Sequence, residues 1–300
     1  MQILVTGGTG FLGQPLVAAL VAAGHGVTLL TRDPARAAAR HGTAVRLWSS
    51  LDAWQPEVAF DAAINLAGAP IADLRWSAAR KRLLRDSRIE LTERLVQRAR
   101  DAQCPPAVLL SGSAVGYYGD AGAAALTESA PAGHDFAAQL CADWERAALA
   151  AESAGVRVCL LRTGLVLHAS GGVFGRVRPI FRLGLGGRLG SGRQWMSWIH
   201  LDDWIALVLR LLSDPQAHGA FNLTAPEPVT NAAFTRALGQ ALHRPTPLPA
   251  PAAALRLLLG ERAQMLLASQ RALPQNAEQL GYPFRFSSLG EALESLTSES

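Results

Sequence analysis

The chain has 300 residues, 49% of them hydrophobic, and a formal net charge of +4. That composition excludes a disordered chain and suits a sizeable core, in one large domain or two closely joined ones. The basic run Arg80, Lys81, Arg82, Arg85 and Arg88 is interleaved with Asp86 and Glu90, so it forms no clustered stripe and no nucleic-acid partner is expected. No basic segment leads into an apolar stretch at the start. Apolar runs such as 251–259 contain Pro or Arg and fall short of the roughly 20 residues of a membrane span. The cysteines, Cys104, Cys141 and Cys159, lack paired metal-ligand spacing, and their odd number suits a reducing compartment. The expectation is a cytoplasmic protein with no metal and no membrane partner.

Residues 3–6 are a short β-rich run. Glycines follow, then Leu12, Leu16, Val17, Leu20 and Val21 at helical spacing. Gly24 and Gly26 end that helix, and 27–31 is the next strand. Such a unit makes a parallel strand pair with a right-handed crossover. Further on, 62–67 reads as a buried strand and 77–102 as one long amphipathic helix. Then come a strand at 107–111, a helix at 135–154 closed by Gly155, and a strand at 156–161. The alternation predicts an α/β fold: a Rossmann-type doubly wound parallel sheet covered on both faces. After about 168 the texture changes. Residues 170–194 are rich in Gly and Arg with little periodicity, 201–213 read as a helix and 220–224 as a strand. Several prolines surround a helix at 230–242, and the remainder is mostly helical as far as Tyr282 and Pro283. The expected division is a nucleotide-binding domain over 1–167 plus about 205–225, and a smaller substrate domain over 168–204 and 226–300.

Between the first strand and helix lies Gly7-Gly8-Thr9-Gly10-Phe11-Leu12-Gly13. Gly7 permits the tight turn, Gly10 lets a pyrophosphate approach the backbone, and Gly13 lets helix and strand pack closely. The helix N-terminus then offers free N–H groups to phosphate. Strand, loop, helix and second strand fall in the order this reading needs. The second strand ends in Thr31-Arg32-Asp33. A guanidinium there matches a 2′-phosphate, so NADP(H) is expected ahead of NAD, with Asp33 the neighbour that argues for NAD. The alternative is an Arg32 that simply points to solvent.

These residues resemble the extended, epimerase-like branch of the short-chain dehydrogenase/reductase superfamily. Asn65-Leu66-Ala67-Gly68 is similar to its turn after the fourth strand, Ser111 to Asp120 to its segment after the fifth, and Trp198 to Asp203 to a late segment. The closer resemblance is to an atypical subgroup marked by Gly116-Tyr117-Tyr118-Gly119-Asp120, Asp135-Phe136 leading to Trp144-Glu145, Arg162-Thr163-Gly164, and a C-terminal helical piece of unassigned function over about 250–298. The resemblance implies cofactor contacts from Gly7, Thr9, Gly10, Phe11, Leu12, Gly13, Thr31, Arg32, Asn65, Leu66, Ala67, Gly68, Ser111, Gly112, Thr163 and Gly164. It also implies that Arg88 reaches the adenosine phosphate side.

The superfamily's Tyr-x-x-x-Lys pair, in which a lysine lowers the tyrosine pKa for proton transfer, is absent. Alignment on Glu145 puts Ala137 at the tyrosine position and Cys141 at the lysine position, and Lys81, the only lysine, lies elsewhere. Ser113 aligns with the serine that hydrogen-bonds substrate oxygen, and Tyr117 or Tyr118 is the nearest acid/base substitute. Ser113 also reads as a turn serine, the tyrosines as pocket wall, Cys141 as an inert core thiol and His200 as a structural histidine. Arg178, Arg182, Arg188 and Arg193 suit an anionic substrate or are an arginine-rich surface. The implied function is an NADP-dependent epimerase, reductase or dehydratase acting on a small polar substrate, perhaps sugar- or nucleotide-linked. The alternative is a non-catalytic NADP(H) sensor or partner-binding protein. Extended members are commonly dimers, so the resemblance allows a homodimer, while no helix of the sequence can be assigned to an interface.

Overall fold

The computed structural model describes residues 1–169 and 171–298. Ser170, Glu299 and Ser300 of the expected substrate domain lie outside them. The N-terminal half alternates β1 (Gln2–Thr6), α1 (Gly13–Ala22), β2 (Gly26–Leu30), α2 (Pro34–His41), β3 (Val45–Trp48), β4 (Ala62–Asn65), α3 (Ala78–Asp86), α4 (Ile89–Asp101), β5 (Val108–Ala114), β6 (Ala125–Leu126), α5 (Phe136–Leu149) and β7 (Arg157–Thr163). Then follow β8 (Leu165–His168), α6 (Gly172–Arg182), β9 (Trp195–Met196), β10 (Trp198–His200), α7 (Leu201–Ser213), β11 (Gly219–Leu223), β12 (Val229–Thr230) and α8 (Asn231–Ala241). Last come α9 (Ala252–Leu259), α10 (Gln264–Leu267), β13 (Arg271–Ala272), α11 (Gln275–Gln279) and α12 (Leu289–Ser298).

The main sheet is parallel throughout, in the order β11-β7-β5-β4-β1-β2-β3. Successive residues along each strand point their side chains into opposite layers. Ile3 and Val5 face Leu16, Val17 and Leu20 of α1 and Trp204, Leu207 and Leu211 of α7. Leu4 faces the other way, with Leu95, Val96 and Ala99 of α4 and Ala148 of α5. The chain leaves β1 toward β2 and β3, then crosses back to β4, β5, β7 and β11. The order therefore reverses beside β1, which opens a crevice at the carboxyl ends of the strands. A separate core of Phe174, Phe181, Trp198, Phe234, Phe286 and Leu293 holds the C-terminal elements.

The doubly wound sheet is the fold expected from the sequence, with three differences in detail. The single helix expected over 77–102 is broken into α3 and α4 at Ser87 and Arg88. The Ser87 hydroxyl donates to the Leu84 carbonyl at 3.2 Å and accepts from the Ala69 amide at 3.0 Å, which competes with helical bonding. The stretch 170–194 contains α6, whose stripe of Phe174, Val177 and Phe181 is diluted by the glycines and arginines around it. The short strand β3 pairs with β2 at the sheet edge and carries too few residues to announce itself. Among the described residues no helix is long and apolar enough to cross a membrane.

The C-terminal segment is stitched into the sheet domain. β13 pairs with β6. The Gln270 side-chain Nε2 donates to the Gly119 carbonyl at 3.0 Å, Asn222 Nδ2 to the Leu273 carbonyl at 2.9 Å, and Asn276 Nδ2 to the Ala220 carbonyl at 2.8 Å.

Candidate functional site

The glycine loop crosses the head of the crevice. Gly7 has φ +72°, a left-handed conformation that favours glycine, and a methyl there would stand 2.6 Å from the Leu66 carbonyl carbon. A methyl on Gly13 would stand 2.2 Å from the Gly7 carbonyl oxygen. Gly10 is exposed, and only its own loop approaches its face. No side chain caps α1 at Leu12; Gln14 N–H is taken by the Gly10 carbonyl at 3.0 Å and Pro15 has none, which leaves the Gly13 N–H as the first-turn donor without a partner among the described residues. The Arg40 guanidinium donates to the Thr9 carbonyl at 3.3 Å and braces the loop, a contact the sequence reading missed. The Phe11 ring packs on the Gly171 and Gly172 turn.

At the end of β2, Thr31 is buried and Arg32 is exposed, with no ion-pair partner for Arg32 among the described residues. Asp33 caps α2 by accepting from the Arg36 amide at 3.0 Å. One of its two carboxylate oxygens is thereby engaged by a helix terminus.

On the far side of β1, Asn65 is 1% exposed. It accepts from Thr6 and donates to Thr92, both at 2.7 Å, and Trp144 donates to the same Thr92 hydroxyl at 3.0 Å. Ser111 is fully buried beside it. Asn65 and Ser111 thus support the turn that carries Leu66, Ala67 and Gly68 from inside the fold. Gly112 lies under the Trp144 ring, Thr163 accepts from Trp204 at 3.1 Å, and Gly164 abuts the Ser197 carbonyl. The Arg88 guanidinium lies over Trp144, 5.3 Å from the ring centroid, and against Gly68.

A buried ion pair stands behind the crevice. Arg162, 4% exposed, gives Nε and Nη2 to the two oxygens of Glu145, each at 2.8 Å. Ser113 donates to the same carboxylate at 2.6 Å, so its proton is committed there. The Arg162 guanidinium also sits 3.6 Å from the Tyr117 ring centroid and donates to the Tyr118 hydroxyl at 3.0 Å. Tyr118 donates to Asn222 at 2.7 Å, and burial raises its pKa. The Tyr117 hydroxyl has no hydrogen-bond partner among the described residues. Cys141, buried and close to Glu145, has its thiol pushed up to about 12 by burial, so it stays protonated and non-nucleophilic. His200 caps α7 and stacks on Phe286 at 4.1 Å, and burial lowers its pKa. These contacts make it a structural group.

A cavity of about 430 Å³ lies between Asp120 and Asp135 on one side and Arg256, Glu261 and Gln264 on the other. Arg75 donates to the Leu257 carbonyl at 2.7 Å, and Lys81, the only lysine, pairs with Glu261 at 2.7 Å, tethering the C-terminal segment beside it. The arginines of the Gly/Arg stretch do not line this cavity. Arg182, Arg188 and Arg193 are exposed, and Arg188 lines a separate groove with Arg236.

Residues 3–224 match the NAD dependent epimerase/dehydratase family, and 250–296 match a domain of unknown function, DUF1731. Epimerase family protein Mb2239 of Mycobacterium bovis is 44% identical over 302 residues, 97% of this chain and 96% of that protein. The chloroplastic Epimerase family protein SDR39U1 homolog of Arabidopsis thaliana is 39% identical, over 99% of this chain and 86% of its own length. The crystal structure of human epimerase family protein SDR39U1 (isoform 2) with NADPH superposes over the whole of both chains, with a TM-score of 0.91 and 35% identity. By its motifs, its sheet and these matches the chain belongs to the NAD dependent epimerase/dehydratase family, as an atypical extended short-chain dehydrogenase/reductase with a DUF1731 C-terminal region.

Proposed function

We propose that the chain binds NADP(H) and serves as an oxidoreductase or epimerase on a small polar substrate. The observation that carries the cofactor reading is Arg32 at the end of β2, without an ion-pair partner among the described residues, beside an Asp33 that caps α2. The human relative solved with NADPH supports it. The residues present fit the group. Gly7, Thr9, Gly10, Phe11, Leu12 and Gly13 would hold the pyrophosphate, Thr31 and Arg32 the 2′-phosphate end, and Leu66, Ala67, Gly68, Gly112, Thr163 and Gly164 the walls. A bound nicotinamide supplies hydride transfer. Of the chain's own groups, Tyr117 has the uncommitted hydroxyl, held in place by Arg162 against its ring. Ser113 offers lone pairs, its proton being given to Glu145. Asp120, Asp135, Arg256, Glu261 and Gln264 in the mixed lining of the cavity offer hydrogen bonds to a substrate that carries polar groups.

Calorimetric titration with NADP and NAD tests the reading. NADP is expected to bind at least ten-fold tighter than NAD, a gap of about 1.4 kcal/mol. Arg32→Ala is expected to abolish that preference. Asp33→Ala is expected to lower stability by about 1 kcal/mol and leave the preference intact. Binding of neither dinucleotide by the wild-type chain would sink the reading.

A second reading is a non-catalytic NADP(H) sensor. The buried, protonated Cys141 at the lysine position and the committed Ser113 favour it. Tight NADPH binding with no oxidation across a panel of carbonyl compounds, and a partner captured only in the presence of cofactor, would select it.

A further inference from the structure

The groove that Arg188 shares with Arg236 has a volume of about 300 Å³, and no acidic residue lines it. Its lining has no residue in common with the 430 Å³ cavity or with the glycine loop. Arg188 comes from the segment after α6. Arg236 comes from α8, which turns Ala232, Thr235 and Arg236 to one face at helical spacing. Thr246, from the segment after α8, completes the polar set. Arg178, Arg182 and Arg193, which the sequence groups with Arg188, take no part in it.

We infer that this groove is a second binding site, for a phosphate group, free or esterified to a small polar molecule. Its first support is charge. Neither guanidinium has an ion-pair partner among the described residues. A cleft lined by one sign of charge concentrates the opposite ion. The second support is the Thr235 hydroxyl. Thr235 is 5% exposed and lines the groove, yet its hydroxyl has no hydrogen-bond partner among the described residues. A helical threonine commonly returns its proton to the carbonyl one turn back, as Thr92 does to Arg88 at 2.6 Å. A hydroxyl so enclosed is costly to leave idle unless a ligand takes it. The third support is a fixed frame. The Leu189 amide donates to Asn231 Oδ1 and the Ala250 amide to the Arg188 carbonyl, both at 2.8 Å, so the backbone is held on both sides of Arg188. The Arg188 stem lies along bare Gly192, whose methyl would stand 3.2 Å from Arg188 Cδ. Less ordering is then left for a ligand to impose. Two forks and two hydroxyls offer more donors than one carboxylate can accept, while a phosphate dianion presents three oxygens and matches both charges. The rings of Pro247 and Pro249 wall the remaining space, where an esterified group would lie.

The test is calorimetric titration with glucose 6-phosphate, inorganic phosphate, glucose and acetate. Each is titrated into wild type, Arg188→Gln, Arg236→Gln and Arg32→Ala. Glucose 6-phosphate is expected to saturate the wild type with a Kd below about 1 mM. Each groove variant is expected to weaken it about ten-fold. Thr235→Val is expected to weaken it less, about three-fold. Arg32→Ala is expected to leave it within about two-fold, which separates the groove from the cofactor site. Inorganic phosphate binding as tightly as glucose 6-phosphate supports the site with the free ion as its ligand, and weaker binding supports it with the ester. Arg188 and Arg236 are both exposed, so their glutamine variants are expected to unfold at the wild-type temperature. Absence of binding by both phosphates, glucose or acetate binding as tightly as phosphate, a loss confined to Arg32→Ala, or unchanged affinity in both groove variants overturns the inference. It stands apart from the cofactor reading, since it needs no dinucleotide.

Discussion

Replacing Glu145 by alanine is expected to destabilise the protein by about 3–5 kcal/mol, the usual cost of removing one partner of a buried ion pair. Arg162 is 4% exposed and uses both Glu145 oxygens, so the variant would strand a cation in the interior. The Tyr118 hydroxyl and Glu128 carbonyl that remain to it are neutral acceptors served by Nη1 alone. Urea denaturation reads the effect as a lower midpoint at unchanged slope. Glu145→Gln keeps one acceptor and should lose less. The paired change Glu145→Leu with Arg162→Met removes both charges and should recover much of the loss, since apolar replacement of a buried pair is often neutral. A loss below about 1 kcal/mol in Glu145→Ala would mean that water or a neighbouring group neutralises Arg162, contrary to the geometry.

Gly13→Ala is expected to weaken NADPH binding by about two orders of magnitude or more, roughly 2.7 kcal/mol, and to lower the stability of the unliganded chain as well. The added methyl would meet the Gly7 carbonyl oxygen at 2.2 Å and Gly8 Cα at 2.6 Å, both backbone atoms, so the loop itself must move off the helix. Gly10→Ala makes the informative contrast. Its methyl would meet only the Gly7 carbonyl, at 3.2 Å, on an exposed surface, so stability should hold while ligand approach is blocked. Calorimetry with NADPH beside thermal unfolding of the unliganded proteins separates the two effects. Unaltered binding by Gly13→Ala would remove the loop from the cofactor reading.

The sheet and the glycine loop were legible in the sequence because their signals are local. β1, the glycines and α1 occupy one short window with a characteristic period. What escaped depends on partners distant in sequence. The helix break at Ser87 is set by the Ala69 amide, and the brace on Thr9 comes from Arg40. Arg162 was visible as part of a motif, yet its meaning lies in Glu145 on α5. A signal was present. Glu145 shares a helix face with Cys141, Trp144 and Ala148, and a carboxylate on a buried face calls for a cation. Asp120, Asp135, Glu261 and Arg256 meet around the cavity only because the C-terminal segment folds back, which no local pattern announces.

That fold-back also sets an order of events during synthesis. The Asn222 side chain is buried in β11, and one of its acceptors is the Leu273 carbonyl; Glu128 accepts from the Asn276 amide at 3.3 Å. A ribosome adding roughly 5–20 residues per second needs several seconds to pass from the end of β11 to α11. During that interval the nascent sheet exposes Asn222 and Glu128 to water without their final partners, and β6 has no strand beside it. The nascent chain therefore waits on residues 271–279 for closure, and a ribosome stalled between Thr224 and Ala268 would present an unclasped sheet to chaperones.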